Sequence, residues 1–298
     1  MKTAKLYNDS KNILGEGIIW SEENSCLYWV DIPMPSKLYN FNTLKNNLIT
    51  YDMPEMITSI SLRNKNNLLI ASHYGLNNFN LSDKKFERIL DVEKDLPQNR
   101  CNDGASDANG RYWFGTMQNN IAPDGSNIEI IENSGSIYCL DKNLNIKKKE
   151  TDICISNTFV WNPDNTKFYF TDTITGIISS YDFDLDSGSI DNKKDFAKFD
   201  RGYPDGSTID SEGYLWNCRW DGSCVVRFDP NGQVDDVVEV PVKNVTSCTF
   251  GGEDLKTLFI TTARIGMDED YLKNNPSTGG IFAINLDVRG QLNNKFAG

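Results

Sequence analysis

The sequence predicts an all-β fold, a six-bladed β-propeller formed by one domain over residues 1–298. Three observations lead there. One motif recurs six times at a spacing near the length of a four-stranded blade. Each copy reads as strand, tight turn, strand. No segment carries the apolar period of an amphipathic helix over a helix's length. The recurrence is plainest at 100–116, RCNDGASDANGRYWFGT, and 204–217, PDGSTIDSEGYLWN. Asp107-Ala108-Asn109-Gly110 begins like an EF-hand calcium loop, but the glutamate that closes such a loop is missing, so that reading fails.

The frame is set by two segments that superpose without a gap. Glu16 stands four places before Trp20, and Asn157 four places before Trp161. Asp31 and Asp172 follow fifteen places after Glu16 and Asn157. The same frame relates Thr58 to Leu62, Asn102 to Ser106, Asp205 to Ile209 and Thr246 to Phe250. Six leading residues result, Glu16, Thr58, Asn102, Asn157, Asp205 and Thr246, separated by 42, 44, 55, 48 and 41 places. Behind them, IIWSEENSCLYWVDI, FVWNPDNTKFYFTDT, STIDSEGYLWNCRW and CTFGGEDLKTLFITTA set Gly, Asn, Asp or Pro between aromatic and β-branched runs, which is hairpin chemistry. SKLYNFN, GSIYCLD, ISSYDFD and CVVRFDP supply a further outer strand, and KTAKLYN is expected to complete the last blade and close the ring. A β-sandwich would need all six aligned units to be coincidence.

Composition narrows the partners. The 42 acidic residues outnumber the 30 basic ones, giving a formal charge of −12, and the longest basic run is Lys147-Lys148-Lys149. That balance argues against nucleic acid and against an anionic membrane. Seven scattered cysteines include no C-x-x-C pair, so buried free thiols are expected in place of a zinc site or a disulfide framework. MKTAKLYNDSKN has no apolar signal region and no run approaches a membrane span, so a cytoplasmic protein, a monomer or weak dimer, is expected.

The innermost strands of a propeller line its central channel, so equivalent positions of different blades converge. Glu16, Asn102, Asn157 and Asp205 then bring two carboxylates and two amides into one confined space. Carboxylates so placed repel one another and are driven to protonate unless a cation intervenes. Oxygen ligands suit calcium, magnesium or manganese. Asn and Asp are also ordinary turn formers, and it is the shared register that sets these apart.

Several motifs carry a family resemblance. They are Gly15-Glu16-Gly17, Arg100-Cys101-Asn102-Asp103-Gly104, Gly110-Arg111, Gly115-Thr116-Met117, Ser156-Asn157 and Pro204-Asp205-Gly206. The tail adds Thr246-Ser247-Cys248, Phe250-Gly251-Gly252 and Arg264-x-Gly266-Met267-Asp268. In this order and spacing, from about Ile13 to the C-terminus, the chain resembles the SMP-30/gluconolactonase/LRE family. The resemblance implies a six-bladed propeller and a divalent-metal-dependent lactonase that opens sugar lactones to aldonic acids. It implies one metal ion, calcium, manganese, zinc or iron(II), held by Glu16, Asn157 and Asp205, with Asp205 also the catalytic base. Arg100 and Asn102 are implied as contacts to substrate hydroxyls. Where several relatives carry a carboxylate after Gly-Thr-Met, this chain has Gln118-Asn119-Asn120, so Asn120 is the expected third substrate contact.

The 55-residue interval places an insertion at 119–135, NNIAPDGSNIEIIENSG, expected either as a lid over the channel mouth or as a solvated loop. His73, the sole histidine, falls off the leading ring and reads as a strand-end residue. Cys101 alternates away from the ring and has no histidine at a matching position, so it is not expected as a nucleophile. A salt bridge to Asp103 is the alternative role for Arg100. Two other functions fit the same metal ring, a phosphotriesterase-like hydrolase and a non-catalytic calcium-binding regulator. A WD40-type interaction propeller lacks its G-H and W-D signatures and needs no channel carboxylates.

Overall fold

The computed structural model describes residues 2–122 and 125–298. Six sheets, each an antiparallel meander in its main strands, follow one another along the chain as the blades of a propeller. Their innermost strands are Gly15–Ser21, Ile57–Asn64, Asn99–Ser106, Ser156–Trp161, Tyr203–Ile209 and Asn244–Gly251. Each contains one of the six leading residues, so the repeat read from sequence is the blade repeat. Blade six is completed on its outside by Lys5–Asn8, which pairs with Ile281–Asn285. The N-terminal segment also does something the sequence reading did not anticipate: Lys2–Thr3 pairs in parallel with the outer edge of blade five, at Val238 and Glu239. Two blades are thereby stitched by one segment.

The turns of the two recurring stretches, 100–116 and 204–217, have a packing purpose. Asp107 and Asp210 are fully buried. Asp107 accepts from the Asn109 and Arg111 backbone N–H groups through one oxygen, and from Trp113 Nε1 and Arg111 Nε through the other. Asp210 repeats this with the N–H groups of Glu212 and Tyr214, with Trp216 Nε1 and with Arg227. Each aspartate therefore ties a tight turn to a buried tryptophan of the next strand. Blades one and four use a second device at the channel mouth. Asp31 accepts from the N–H groups of Ile13 and Leu14, and Asp172 from those of Cys154 and Ile155. The two equivalent aspartates thus fix the chain entering each inner strand.

The core lies between blades, where Trp29, Trp113 and Trp216 are almost completely buried. Burying each such side chain contributes roughly 2–3 kcal/mol. All seven cysteines are free and buried, as the scattered spacing suggested. The sequence reading missed one short helix, Glu269–Asn274, in the loop of blade six. Its start is marked by Asp268, whose side chain accepts from Tyr271 N at 2.7 Å. At six residues it is too short to show an apolar stripe. No helix among the described residues is long and apolar enough to cross a membrane.

Candidate functional site

Every inner strand leaves regular pairing next to its leading residue. The register shifts lie between Glu16 and Ile19, Ile57 and Ser59, Cys101 and Gly104, Asn157 and Val160, Pro204 and Ser207, and Val245 and Cys248. Such bulges re-aim side chains, here in all six blades at one level of the channel. Gly17 and Thr158, directly after Glu16 and Asn157, adopt left-handed backbone with φ of 57° and 61°. For a β-branched threonine that conformation is strained. Thr158 is held there by its N–H donating to Asp103 Oδ2 at 2.9 Å and its hydroxyl to the Asp205 carbonyl at 2.6 Å.

The polar members of the ring interlock. Asn102 Nδ2 donates to the Ser156 carbonyl at 2.8 Å and to Asn157 Oδ1 at 3.2 Å. Asn157 Nδ2 donates to Thr173 Oγ1 at 2.9 Å, and Thr173 donates in turn to the Pro204 carbonyl. This chain of bonds fixes the Asn157 amide, with its oxygen toward Asn102. Asp205 is placed through Asn217, whose Nδ2 donates to the Asp205 carbonyl at 3.0 Å while its oxygen accepts from the buried Arg219. The two threonines of the ring are otherwise engaged. Thr246 donates to the Gly15 carbonyl and Thr58 to the Ala71 carbonyl.

Electrostatics single out three carboxylates. Burial holds the Glu16 carboxyl well above its usual range, and the charges of Asp205 and Asp103 add to this. Burial also raises Asp205 well above the ordinary value, with Asp103 contributing, while the Gly206 N–H and Arg219 oppose the rise. Asp103 is pushed up to about 6 by burial, against the Gly104 and Thr158 N–H groups it accepts from. Without a cation the site thus shows the repulsion expected of its residues. Among the described residues Glu16 and Asp205 form no salt bridge, and the Asn157 oxygen, which accepts from Asn102, adds a third oxygen donor, a set that suits a hard divalent ion. No cluster of three or more His, Cys, Asp and Glu side chains forms a metal cage among the described residues. The candidate set of two carboxylates and one amide is of a different kind.

Asp103 is the residue the sequence reading undervalued. The alternative role for Arg100, a salt bridge to Asp103, is not formed. Asp103 accepts from backbone N–H groups and lines a cavity of about 110 Å³ together with Ser61, Ser207, Ser247 and Asn293. Asn293 belongs to the C-terminal segment, which crosses the far end of the channel and accepts there from Trp20 N.

Arg100 occupies the mouth side of Asn102. Its Nη1 donates to Asn102 Oδ1 at 2.6 Å and to the Cys101 carbonyl, and its Nη2 to Asn120 Oδ1 at 3.0 Å. Burial lowers its pKa to about 10, still far above neutrality. Asn120 is the second residue of the insertion at 119–135. Pro123 and Asp124 of the expected lid lie outside the described residues. Of the rest, Ile121 is buried and shares an apolar cluster with Leu14, Met53 and Met56, against which Met34, Trp220 and Ile265 also pack. Those residues belong to blades one, two, five and six and the chain entering blade one; Ile121 thus anchors the start of the insertion in this cluster, while residues 126–129 and 131–133 are exposed. His73 lies off the ring, its pKa lowered by burial and by Arg100. Burial pushes the Cys101 thiol up to about 12, which leaves it inert.

The sequence profile of the family described as the SMP-30/Gluconolactonase/LRE-like region matches residues 14–264. The chain belongs to this family. Among SMP-30/gluconolactonase/LRE-like relatives, regucalcin of Oryctolagus cuniculus is 35% identical over 289 residues, 95% of each chain. A Bacillus subtilis (strain 168) protein named as a proposed sugar lactone lactonase, YvrE, is 34% identical over 299 residues, 99% of each. The crystal structure of a calcium-binding protein, regucalcin, from Agrobacterium tumefaciens str. C58 superposes with a TM-score of 0.91 at 28% identity, covering 99% of this chain and 97% of that one.

Proposed function

We propose that this protein is a divalent-metal-dependent lactonase that opens sugar lactones to aldonic acids, with Glu16, Asn157 and Asp205 holding the metal. One observation carries the reading. A half-buried Glu16 and a buried Asp205, without salt bridges among the described residues, stand with the Asn157 oxygen on the inner strands, next to the donors of Arg100. A bound divalent ion would supply positive charge that keeps these carboxylates ionised and stabilises the charge developing on a lactone carbonyl oxygen. The protein's own groups do the rest. Arg100, Asn102 and Asn120 hold ring and hydroxyl oxygens, and the start of the insertion, anchored by Ile121, excludes bulk water. An Asp205 carboxylate oxygen takes a proton from the attacking water as its oxygen bonds to the carbonyl carbon. Asp205 returns that proton to the ring oxygen as the carbon–oxygen bond breaks, leaving the hydroxy acid. The names of the relatives agree with this reading, one through lactone hydrolysis and others through calcium.

Asp205→Asn tests the base. The variant keeps an oxygen ligand, so at saturating metal it should still bind the ion yet lose about a hundredfold or more in kcat. Near-native kcat in a metal-loaded variant would remove Asp205 from proton transfer. Wild-type protein that binds calcium and opens no lactone would instead favour a calcium-binding regulator.

A further inference from the structure

Arg100 differs from every other buried arginine of the described chain. The Arg111 and Arg227 side chains, themselves about one-tenth exposed, ion-pair with Asp107 and Asp210 at 2.6 and 2.7 Å. Arg219 has each of its nitrogens on an oxygen, from Arg201, Asn217, Phe199 and Gly202. Arg100 is 3% exposed, and its three partners are the neutral oxygens of Cys101, Asn102 and Asn120. Its Nε is buried with no partner. A guanidinium so placed has lost its hydration, feels the Glu16 charge only across the channel and leaves one N–H unpaired, an arrangement that is costly unless a ligand completes it.

Its position says which ligand. Arg100 and Asn102 are two places apart on one strand, with Arg100 nearer the mouth, so the guanidinium stands one side chain above the ring of candidate metal ligands. The Asn120 oxygen on Nη2 comes from the start of the insertion and would give way to an entering ligand. Nη2 and Nε would then present the parallel pair of donors that fits a carboxylate in a bidentate fork. We infer that the substrate is an anionic lactone, a monolactone of an aldaric acid, whose free carboxylate pairs with Arg100 while its lactone carbonyl reaches the Glu16–Asn157–Asp205 ring. This rests on the lactonase reading and names its substrate class. A hydroxymethyl group at the same place, as in an aldonic lactone, offers no charge and leaves the guanidinium uncompensated.

The test compares two lactones of equal ring size, glucaric acid monolactone and gluconic acid lactone. Acid release is followed with manganese or calcium present, in wild type, Arg100→Met and Asn120→Glu. The expected result is a kcat/KM for the glucaric compound about tenfold or more above that for the gluconic one. Arg100→Met should abolish this preference. Asn120→Glu, which supplies Arg100 with a carboxylate, should also abolish it, with kcat/KM for the glucaric lactone falling more than that for the gluconic one. Wild type that opens the gluconic lactone as well as or better than the glucaric one overturns the inference and leaves the lactonase reading standing. An unchanged ratio in Asn120→Glu overturns it as well. Failure to open either lactone with either metal overturns both.

Discussion

Gly17 and Thr158 each follow a candidate metal ligand and share the same left-handed turn. The strain at Thr158 is offset by bonds to Asp103 and to the Asp205 carbonyl, so blade four is locked to blades three and five at the level of the ring. Glu16, Asp103 and Asp205 then face one another across it. Glu16→Gln keeps the shape and removes one charge. It should weaken divalent-ion binding by about tenfold or more. In chelated protein the variant should melt at or above the wild-type temperature, because one source of repulsion is gone. Titration with calcium or manganese and calorimetry of the chelated protein check both parts, and a variant that fails to fold would mean that Glu16 packs the core. Thr158 is also where reading a sequence stops. A glycine after Glu16 announces a positive φ, whereas a threonine after Asn157 announces a strand. Asp103 was obscured in a similar way. Alternation turns the neighbour of Asn102 away from the channel, but the register shift between Cys101 and Gly104 cancels that alternation. The Asn-Asp-Gly run at 102–104 was the available signal.

At the scale of the element, the blades are fastened by buried aspartates. Asp210→Ala would orphan the Glu212 and Tyr214 N–H groups and Trp216 Nε1 inside blade five. It should lower stability by about 3 kcal/mol, read as a shift in the denaturant midpoint at unchanged slope. A loss under about 0.5 kcal/mol would show that the clamp is dispensable. These elements were legible because hairpin turns use Gly, Asn and Asp for stated backbone reasons, and because six copies in register exclude coincidence. What escaped depends on contacts distant in sequence. Ile121 in a polar insertion gives no sign that it will bury against Leu14 and Met56. Lys2–Thr3 gives none that it will pair with blade five ahead of blade six. The helix at 269–274 was announced only by its cap at Asp268.

For the whole molecule, the channel links stability to protons and to metal. In the metal-free protein, Glu16, Asp103 and Asp205 hold protons more tightly than they do in the unfolded chain, where carboxyls titrate near about 4. These groups therefore destabilise the fold when ionised, and stability should rise as pH falls through about 6 toward about 4, the interval between the Asp103 value in the fold and that of an unfolded carboxyl. Calorimetry of chelated protein should show the melting temperature increasing over that window, and Asp103→Asn should flatten the trend. Metal-loaded protein should show the reverse, since protons then compete with the ion for Glu16 and Asp205. A chelated protein whose melting temperature falls on the same mild acidification would contradict the electrostatic picture.

The most direct test of the site is acid release from sugar lactones by chelated protein as calcium or manganese is added back. The account predicts no release above the spontaneous rate without metal. It predicts a rise that saturates with the ion in wild type and is absent in Asp205→Asn at the same ion occupancy. Full activity in chelated protein, or wild type that takes up the ion and opens neither glucaric nor gluconic lactone, would contradict it.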